Sequence, residues 1–100
     1  IGDVQGKAAT LHNMAGIYAQ QGQVEQAIAL YQQSLEIKER IGDVQGKAAT
    51  LHNMADIYAQ QGQVEQAIAL YQQSLEIRER IGDIQGKAYT LHSIGIEVNP

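Results

Sequence analysis

Apolar residues recur every three or four positions near the start of the chain. From Val4 this recurrence predicts a helix that ends near Gln20 or Gln21, because the spacing places apolar side chains on one helical face. Asp3 stands directly before the helix, where its carboxylate can accept the free amides of the first turn. Gly22 follows the helix and can take the left-handed conformation that closes it. The apolar face consists of Val4, Leu11, Met14, Ala15 and Tyr18.

A second recurrence predicts a second helix, from about Val24 to Arg40. Gly42 is expected to end it, and Asp43 to cap the helix that follows. The connections between these helices are only about three residues long, which makes consecutive helices antiparallel neighbours. The predicted architecture is therefore all-α and built of helical hairpins. The second helix buries Val24, Ala27, Ile28, Tyr31 and Leu35, with Ser34 as a small packing residue.

The pattern repeats with a period of 40 residues. The first two copies differ at two positions, where Gly16 and Lys38 are replaced by Asp56 and Arg78. A fixed period of this length is typical of a solenoid, in which each repeat stacks on the next. We predict a single domain over residues 1–100, made of a repeat at 1–40, a repeat at 41–80, and a partial repeat or capping helix at 81–100.

Composition narrows the functional classes. The 100 residues carry a formal net charge of −4 with the two signs interleaved, whereas nucleic acids attract basic patches. No apolar run reaches the roughly 20 residues that span a bilayer. We therefore expect neither a nucleic-acid partner nor a membrane partner. The chain has no cysteine, so it can form neither a disulfide nor a thiolate metal site.

The start of the chain has neither a signal-peptide pattern nor an initiator methionine. We expect a cytoplasmic protein, present here as a processed form or as a piece of a longer chain.

The stretch MAGIYAQQGQVEQAIALYQQSLEI, which starts at Met14, resembles a tetratricopeptide repeat. The proline that usually follows the second helix in this family is absent here. The period of the chain also exceeds the ~34 residues of the common form. The longer period is similar to the variety found in spindle-orientation adaptors and in bacterial signalling scaffolds. The opening GD-x-x-G-x-A of that variety is matched by Gly2, Asp3, Gly6 and Ala8. The family pattern is matched at Leu11, Met14, Ala15, Tyr18, Gly22, Ala27, Tyr31, Ser34 and Leu35.

The resemblance implies a right-handed α-solenoid of antiparallel helical hairpins, with two full repeats plus one extra helix. In this family the first helix of each repeat lines a concave face, where a protein or peptide partner binds. We call the positions of these helices that lie away from the predicted core the first-helix face. It comprises Gln5, Ala9, His12, Asn13, Gly16, Gln20, Gln45, Ala49, His52, Asn53, Asp56, Gln60, Tyr89 and His92.

Three histidines of this face, His12, His52 and His92, occupy the same position in the three copies. We expect them to be partly exposed and repeated because the unit is repeated. A metal-binding or pH-sensing stripe is the alternative. Helix axes about 8–10 Å apart do not bring imidazoles to within about 2.1 Å of one ion. We therefore predict no metal and no cofactor.

Gly6 and Gly46 lie in the first turn of the first helices, where glycine lowers helix stability. Close approach of the preceding second helix is the favoured explanation, ahead of a contact with a ligand.

The third copy is edited and incomplete. Tyr89 replaces Ala49 and Ser93 replaces Asn53, and its helix is predicted from about Asp83 to Ile94 or Gly95, because the ending IEVNP disfavours helix. This helix either caps the array or belongs to a severed repeat, which would leave Ile84, Leu91 and Ile94 partly uncovered. In both interpretations the edits create no new site.

Near-identical repeats cannot distinguish their own neighbour from that of another copy. We therefore expect a possible homo-oligomer, formed by end-to-end stacking or by exchange of hairpins.

The leading functional hypothesis is a non-catalytic module that binds a peptide or helix in the concave groove. An enzyme is not expected, because no copy carries a nucleophile beside a base or a phosphate-binding loop. The alternative is a structural or engineered repeat scaffold, or a fragment of a longer array, that self-associates without a ligand of its own.

Overall fold

The computed structural model describes residues 3–98, and these contain five helices and no strand. The predicted all-α class is confirmed. The helices are α1 (Val4–Gln20), α2 (Val24–Ile41), α3 (Val44–Gln60), α4 (Val64–Arg80) and α5 (Ile84–Val98). The chain divides into two compact units, Ile1–Thr50 and Leu51–Pro100, with the boundary inside α3. The expectation of a single domain stays a prediction.

The turn after α1 is closed by Gly22, as predicted. Its φ is 79°, in the left-handed region that favours glycine. The Gln23 amide donates to the Tyr18 carbonyl at 2.9 Å, and the Gly22 amide donates to the Ala19 carbonyl at 3.0 Å. These two bonds form a Schellman motif, which satisfies carbonyls that the helix itself leaves open.

The turn between α2 and α3 joins two helices through one aspartate. The Asp43 amide donates to the Lys38 carbonyl at 2.9 Å and so ends α2. The Asp43 carboxylate then accepts from the Gly46 amide at 2.9 Å and so caps α3. Asp83 repeats both contacts between α4 and α5. The predicted capping of α3 by Asp43 is confirmed, and Gly42 ends α2 in the left-handed conformation as predicted.

The glycine in the first turn of α3 is explained mainly by this cap. A Cβ at Gly46 would collide first with the Asp43 carboxylate and then meet the Lys38 Cδ atom of α2 at 3.0 Å. At Gly6 the atoms in the way belong to Asp3 alone. Close approach of the preceding helix is therefore only part of the reason, and our favoured explanation is corrected accordingly.

In the first unit, α1 and α2 pack as an antiparallel hairpin. The Ser34 hydroxyl, which is fully buried, donates to the Ala8 carbonyl at 2.9 Å. Further along α1, Gly16 lies beside the hydroxyl of Tyr31, which comes earlier in α2. Since the contacts run in opposite order along the two helices, the helices are antiparallel. Small residues at these positions let the two backbones approach closely.

In the second unit, the end of α3 packs with α4 and α5. A buried cluster contains Ala55, Ala59, Ala67 and Tyr71. Ile94 of α5 packs against it. Tyr58 and Leu70 are partly buried and also pack against this cluster.

Helix α5 is longer than predicted, since it continues through Gly95 to Val98. Pro100 disfavours helix only at the residue directly before it, and one β-branched residue lowers helix propensity by less than about 1 kcal/mol. Neither effect is large enough to end the helix at Gly95. Residues 99–100 lie outside the described part of the chain.

Among the helices in residues 3–98, none combines the length and the apolar character that crossing a bilayer would require.

Two glycine-to-alanine substitutions within the first unit are expected to have opposite effects. Gly16→Ala places its Cβ 3.6 Å from the Tyr31 hydroxyl, an ordinary contact, and should raise the free energy of unfolding by about 0.5–1 kcal/mol. Gly46→Ala displaces the Asp43 carboxylate and should lower it by about 1 kcal/mol, the usual value of a helix cap. Urea denaturation followed by circular dichroism measures both. A stabilising Gly46→Ala would contradict the assignment.

Candidate functional site

A basic side chain near the end of each second helix is buried. Lys38 is 8% exposed and Arg78 is 9% exposed. A buried charge is costly unless hydrogen bonds replace its water. Both cations point towards a buried threonine of the following first helix, and this contact begins the site in each unit.

In the first unit we define the His12 site as His12, Tyr31, Lys38 and Thr50. The Lys38 ammonium donates to the Thr50 hydroxyl at 2.9 Å and lies 3.2 Å from His12 Nδ1. Thr50 Oγ1 lies 3.1 Å from the same nitrogen. Because the threonine accepts from lysine, its own hydrogen is available to donate to Nδ1. His12 is therefore neutral, with its proton on Nε2. The Tyr31 ring meets the imidazole edge-on, at 5.2 Å between centroids.

In the second unit we define the His52 site as His52, Asp56, Tyr71, Arg78, Tyr89, Thr90 and Ser93. Arg78 donates through Nη1 to the Thr90 hydroxyl at 2.6 Å and to the Gly86 carbonyl at 3.1 Å. Thr90 Oγ1 lies 3.1 Å from His52 Nδ1, so the threonine links the guanidinium to the imidazole as Thr50 does in the first unit. The Arg78 Nε atom also pairs with the Asp83 carboxylate at 3.8 Å.

The second nitrogen of His52 faces a carboxylate. With Nδ1 accepting from Thr90, the proton lies on Nε2, which is 3.7 Å from Asp56 Oδ1 and 3.4 Å from the Ser93 hydroxyl. The Tyr71 hydroxyl donates to the same Asp56 oxygen. Asp56 is therefore held by a tyrosine of α4 beside the imidazole.

Two tyrosines enclose the His52 ring. Tyr71 meets it edge-on at 5.2 Å between centroids, and Tyr89 stacks on it at 4.4 Å with an angle of 16° between the planes. His52 is only 1% exposed, while Tyr89 is 56% exposed. The tyrosine of α5 thus covers the histidine and keeps much of its own ring open to solvent.

Burial is the main electrostatic influence on both histidines. It lowers the pKa of His12, and the Lys38 ammonium lowers that pKa further. Burial also lowers the pKa of His52, where the Asp56 carboxylate opposes the shift and the Arg78 guanidinium adds to it. Lys38 has a lowered pKa because of burial, although Asp43 favours its charged form. Both imidazoles are therefore neutral at neutral pH.

The residues of the first-helix face differ in solvent exposure and fall into three groups: half-buried, buried and exposed. Its half-buried members are His12, Gly16, Ala49, Asn53 and Asp56, and its buried member is His52. Around His52 it brings together Asp56 and Tyr89. The exposed members are Gln5, Ala9, Asn13, Gln20, Gln45, Gln60, Tyr89 and His92.

The expectation of three partly exposed histidines is wrong for His52. Tyr89 and Tyr71 cover its ring from two other helices, and these contacts do not depend on the periodicity of α3. His12 is half-buried and His92 is exposed, so three identical sequence positions have three different environments.

Sequence reasoning missed the buried cations and the threonines that bind them. Position 38 follows Ser34 by four residues and Leu35 by three, so it lies on the buried face of α2 by the same spacing that identified that face. A lysine on an apolar face was the available signal. The exchange of Lys38 for Arg78, one of only two differences between the copies, was another.

Among the side chains that the structure describes, those of residues 3–95, no three from His, Asp or Glu come together in a way that could hold a metal ion.

Comparison with known protein families identifies the fold. The family model described as tetratricopeptide repeat matches residues 6–96. The chain belongs to the tetratricopeptide repeat family. No curated protein matches the sequence significantly. Tetratricopeptide repeats generally mediate protein–protein interactions and are generally not enzymes.

The hairpin of a tetratricopeptide repeat accounts for the small residues on both helices. Ala8, Ala27 and Ser34 are fully or almost fully buried where α1 and α2 cross. The polar cluster around each histidine also uses a residue of the following first helix, Thr50 of α3 or Thr90 of α5.

A threonine-to-valine pair tests the link between the buried cation and the imidazole. Thr90→Val removes the hydroxyl that joins Arg78 to His52, and should lower the free energy of unfolding by about 1–3 kcal/mol because buried polar atoms lose their partner. Thr10 occupies the same repeat position and is exposed, so Thr10→Val should change stability by less than about 0.5 kcal/mol. Both replacements preserve the branched shape of the side chain. Equal shifts of the two urea midpoints would contradict the proposed link.

Proposed function

We propose that this chain is a non-catalytic interaction module whose first-helix face binds a peptide or a helix of a partner protein. The observation that carries the proposal is the contrast between the two sides of the first helices. One side is packed, with Ala15 and Ala55 fully buried, while the other presents exposed amide side chains such as Gln20 and Gln60. Amide side chains can both donate to and accept from the backbone of an extended peptide.

The histidine sites support this function by making part of the face rigid. Asp56 is fixed by Tyr71 and His52, and its side chain is 36% exposed. Groups that are held in place before binding lose less conformational entropy when a partner arrives. A preorganised carboxylate is therefore suited to contribute to partner choice.

The 40-residue period favours the longer variety of the family, in which the first helices line the concave groove of a right-handed solenoid. In that arrangement the exposed glutamines and Asn13 would face the bound segment. The groove and its handedness are part of the proposal.

A charge reversal on the face should change which peptides the chain binds. Asp56→Arg replaces the carboxylate by a cation, and should alter the set of peptides captured from an array of random acetylated peptides. Glu76→Arg makes the same change of charge at an exposed position of α4 outside the face, and should leave that set unchanged. Identical sets for the wild-type chain and both variants would contradict a role for this face.

A second candidate function is self-association with another copy of the chain. Met14 and Ile17 on α1 are 40% and 55% exposed and line a pocket of about 300 Å³, whereas Met54 and Ile57 at the same repeat positions are each 5% exposed. On α5, Ile84 is 81% exposed. An apolar surface that is buried in one copy of the repeat and open in another favours contact with an identical repeat.

Self-association should appear as a mass that rises with concentration. Light scattering from micromolar to millimolar concentration should show that rise for the wild-type chain, and Ile17→Glu should reduce it by placing a charge in the apolar contact. A strict monomer throughout this range would exclude the second candidate.

A further inference from the structure

Two differences between the two units lie beside the ring of one histidine. Asp56 stands where the first unit has Gly16, and Tyr89 stands where it has Ala49. Both residues contact the ring of His52. The second unit therefore carries an acidic group and an aromatic group at the surface of its histidine site, and the first unit carries neither at these positions.

Asp56 presents one oxygen that the fold does not use. Both of its contacts, with the Tyr71 hydroxyl and with His52 Nε2, are made by Oδ1. Within the described part of the chain, no hydrogen bond or ion pair reaches Oδ2. The side chain of Asp56 is 36% exposed, so a charged group can approach its carboxylate from solvent.

Tyr89 is an exposed aromatic residue that contacts the same histidine. The stacked imidazole of His52 covers one face of its ring at 4.4 Å, and 56% of the residue remains exposed. The face of a tyrosine ring carries negative electrostatic potential and attracts cations. The open face of Tyr89 and the free oxygen of Asp56 thus favour the same kind of ligand.

Two basic residues of this unit, Arg78 and Lys87, do not occupy these groups. Arg78 is 9% exposed, lies behind the Thr90 hydroxyl and pairs with Asp83. Lys87, on the same helix as Tyr89, pairs with Glu79 at 3.2 Å. The positive charges of these two residues are directed to other carboxylates.

We propose that Asp56 and Tyr89 form a subsite for a positively charged side chain, arginine or lysine, of the bound peptide. The subsite rests on the proposed function and specifies one chemical feature of the partner. Arginine suits these two groups best, because a guanidinium can stack on an aromatic ring and can also donate N–H hydrogen bonds to a carboxylate. The equivalent positions of the first unit, Gly16 and Ala49, give no preference for charge.

A pair of small probes tests the subsite on the full chain. N-acetyl-arginine N-methylamide carries the cation, and N-acetyl-citrulline N-methylamide has almost the same shape without the charge. In ¹H–¹⁵N NMR titrations, the arginine probe should shift the amide signals of Asp56 and Tyr89 saturably. Its affinity should exceed that of the citrulline probe by about two- to fivefold, the range of one exposed charge contact. The amides of Gly16 and Ala49 should shift little with either probe.

Three variants locate the effect. Asp56→Asn retains an oxygen that can accept from Tyr71 and should abolish the preference for arginine over citrulline. Tyr89→Leu keeps His52 covered and should weaken the arginine probe alone, because leucine has no aromatic face. Introducing both Gly16→Asp and Ala49→Tyr should create the preference in the first unit. Equal affinity for the two probes in the wild-type chain, or a preference that survives Asp56→Asn, would overturn the proposal.

The peptide array separates this inference from the function on which it rests. Captured peptides without enrichment in arginine or lysine would support an interaction module and overturn the subsite. Binding of the arginine probe by a chain that captures no peptide would support the subsite and contradict the module.

Discussion

At the end of each second helix, one aspartate connects two helices. The Asp43 amide closes α2 and its carboxylate caps α3, and Asp83 does the same between α4 and α5. Only Gly42 and Asp43 lie between α2 and α3. Because this turn is so short, the last turn of α2 lies directly against the first turn of α3. The stem of Lys38 consequently passes Gly46, and its ammonium reaches Thr50 and His12. The position of each histidine site follows from this turn.

The buried cation determines the protonation state of the histidine and the direction of its N–H. Threonine suits the position because its hydroxyl can accept from the cation and donate to the imidazole at once. The imidazole is thereby kept neutral, with its N–H directed away from the cation. In the second unit that N–H faces Asp56, while Arg78 adds a bond to the Gly86 carbonyl that the single ammonium of lysine does not make. The two positions at which the full copies differ, occupied by Asp56 and Arg78 in the second copy, thus both belong to the His52 site.

The helices were predictable because they depend on local signals. Periodic apolar residues, Asp3 before the first helix and Gly22 after it located α1 to within a residue. The burial of His52 was not predictable in this way, since it depends on Tyr89 from another helix. The burial of Lys38 was not predicted, although its spacing from Ser34 and Leu35 places it on the packed face of α2. The sequence therefore specified the hairpins, and the chemistry between them needed the tertiary contacts.

The buried neutral histidines also make the free energy of unfolding depend on pH. In the unfolded chain each imidazole takes up a proton near the ordinary pKa of about 6.5. Folding lowers the pKa of His12 and His52, so the folded chain takes up these protons only at lower pH. As the pH falls below the unfolded value, the unfolded state binds more protons and the free energy of unfolding decreases. Since the stability of a repeat protein is approximately a sum over its repeats, every added copy with a buried histidine makes the free energy of unfolding fall more steeply in acid.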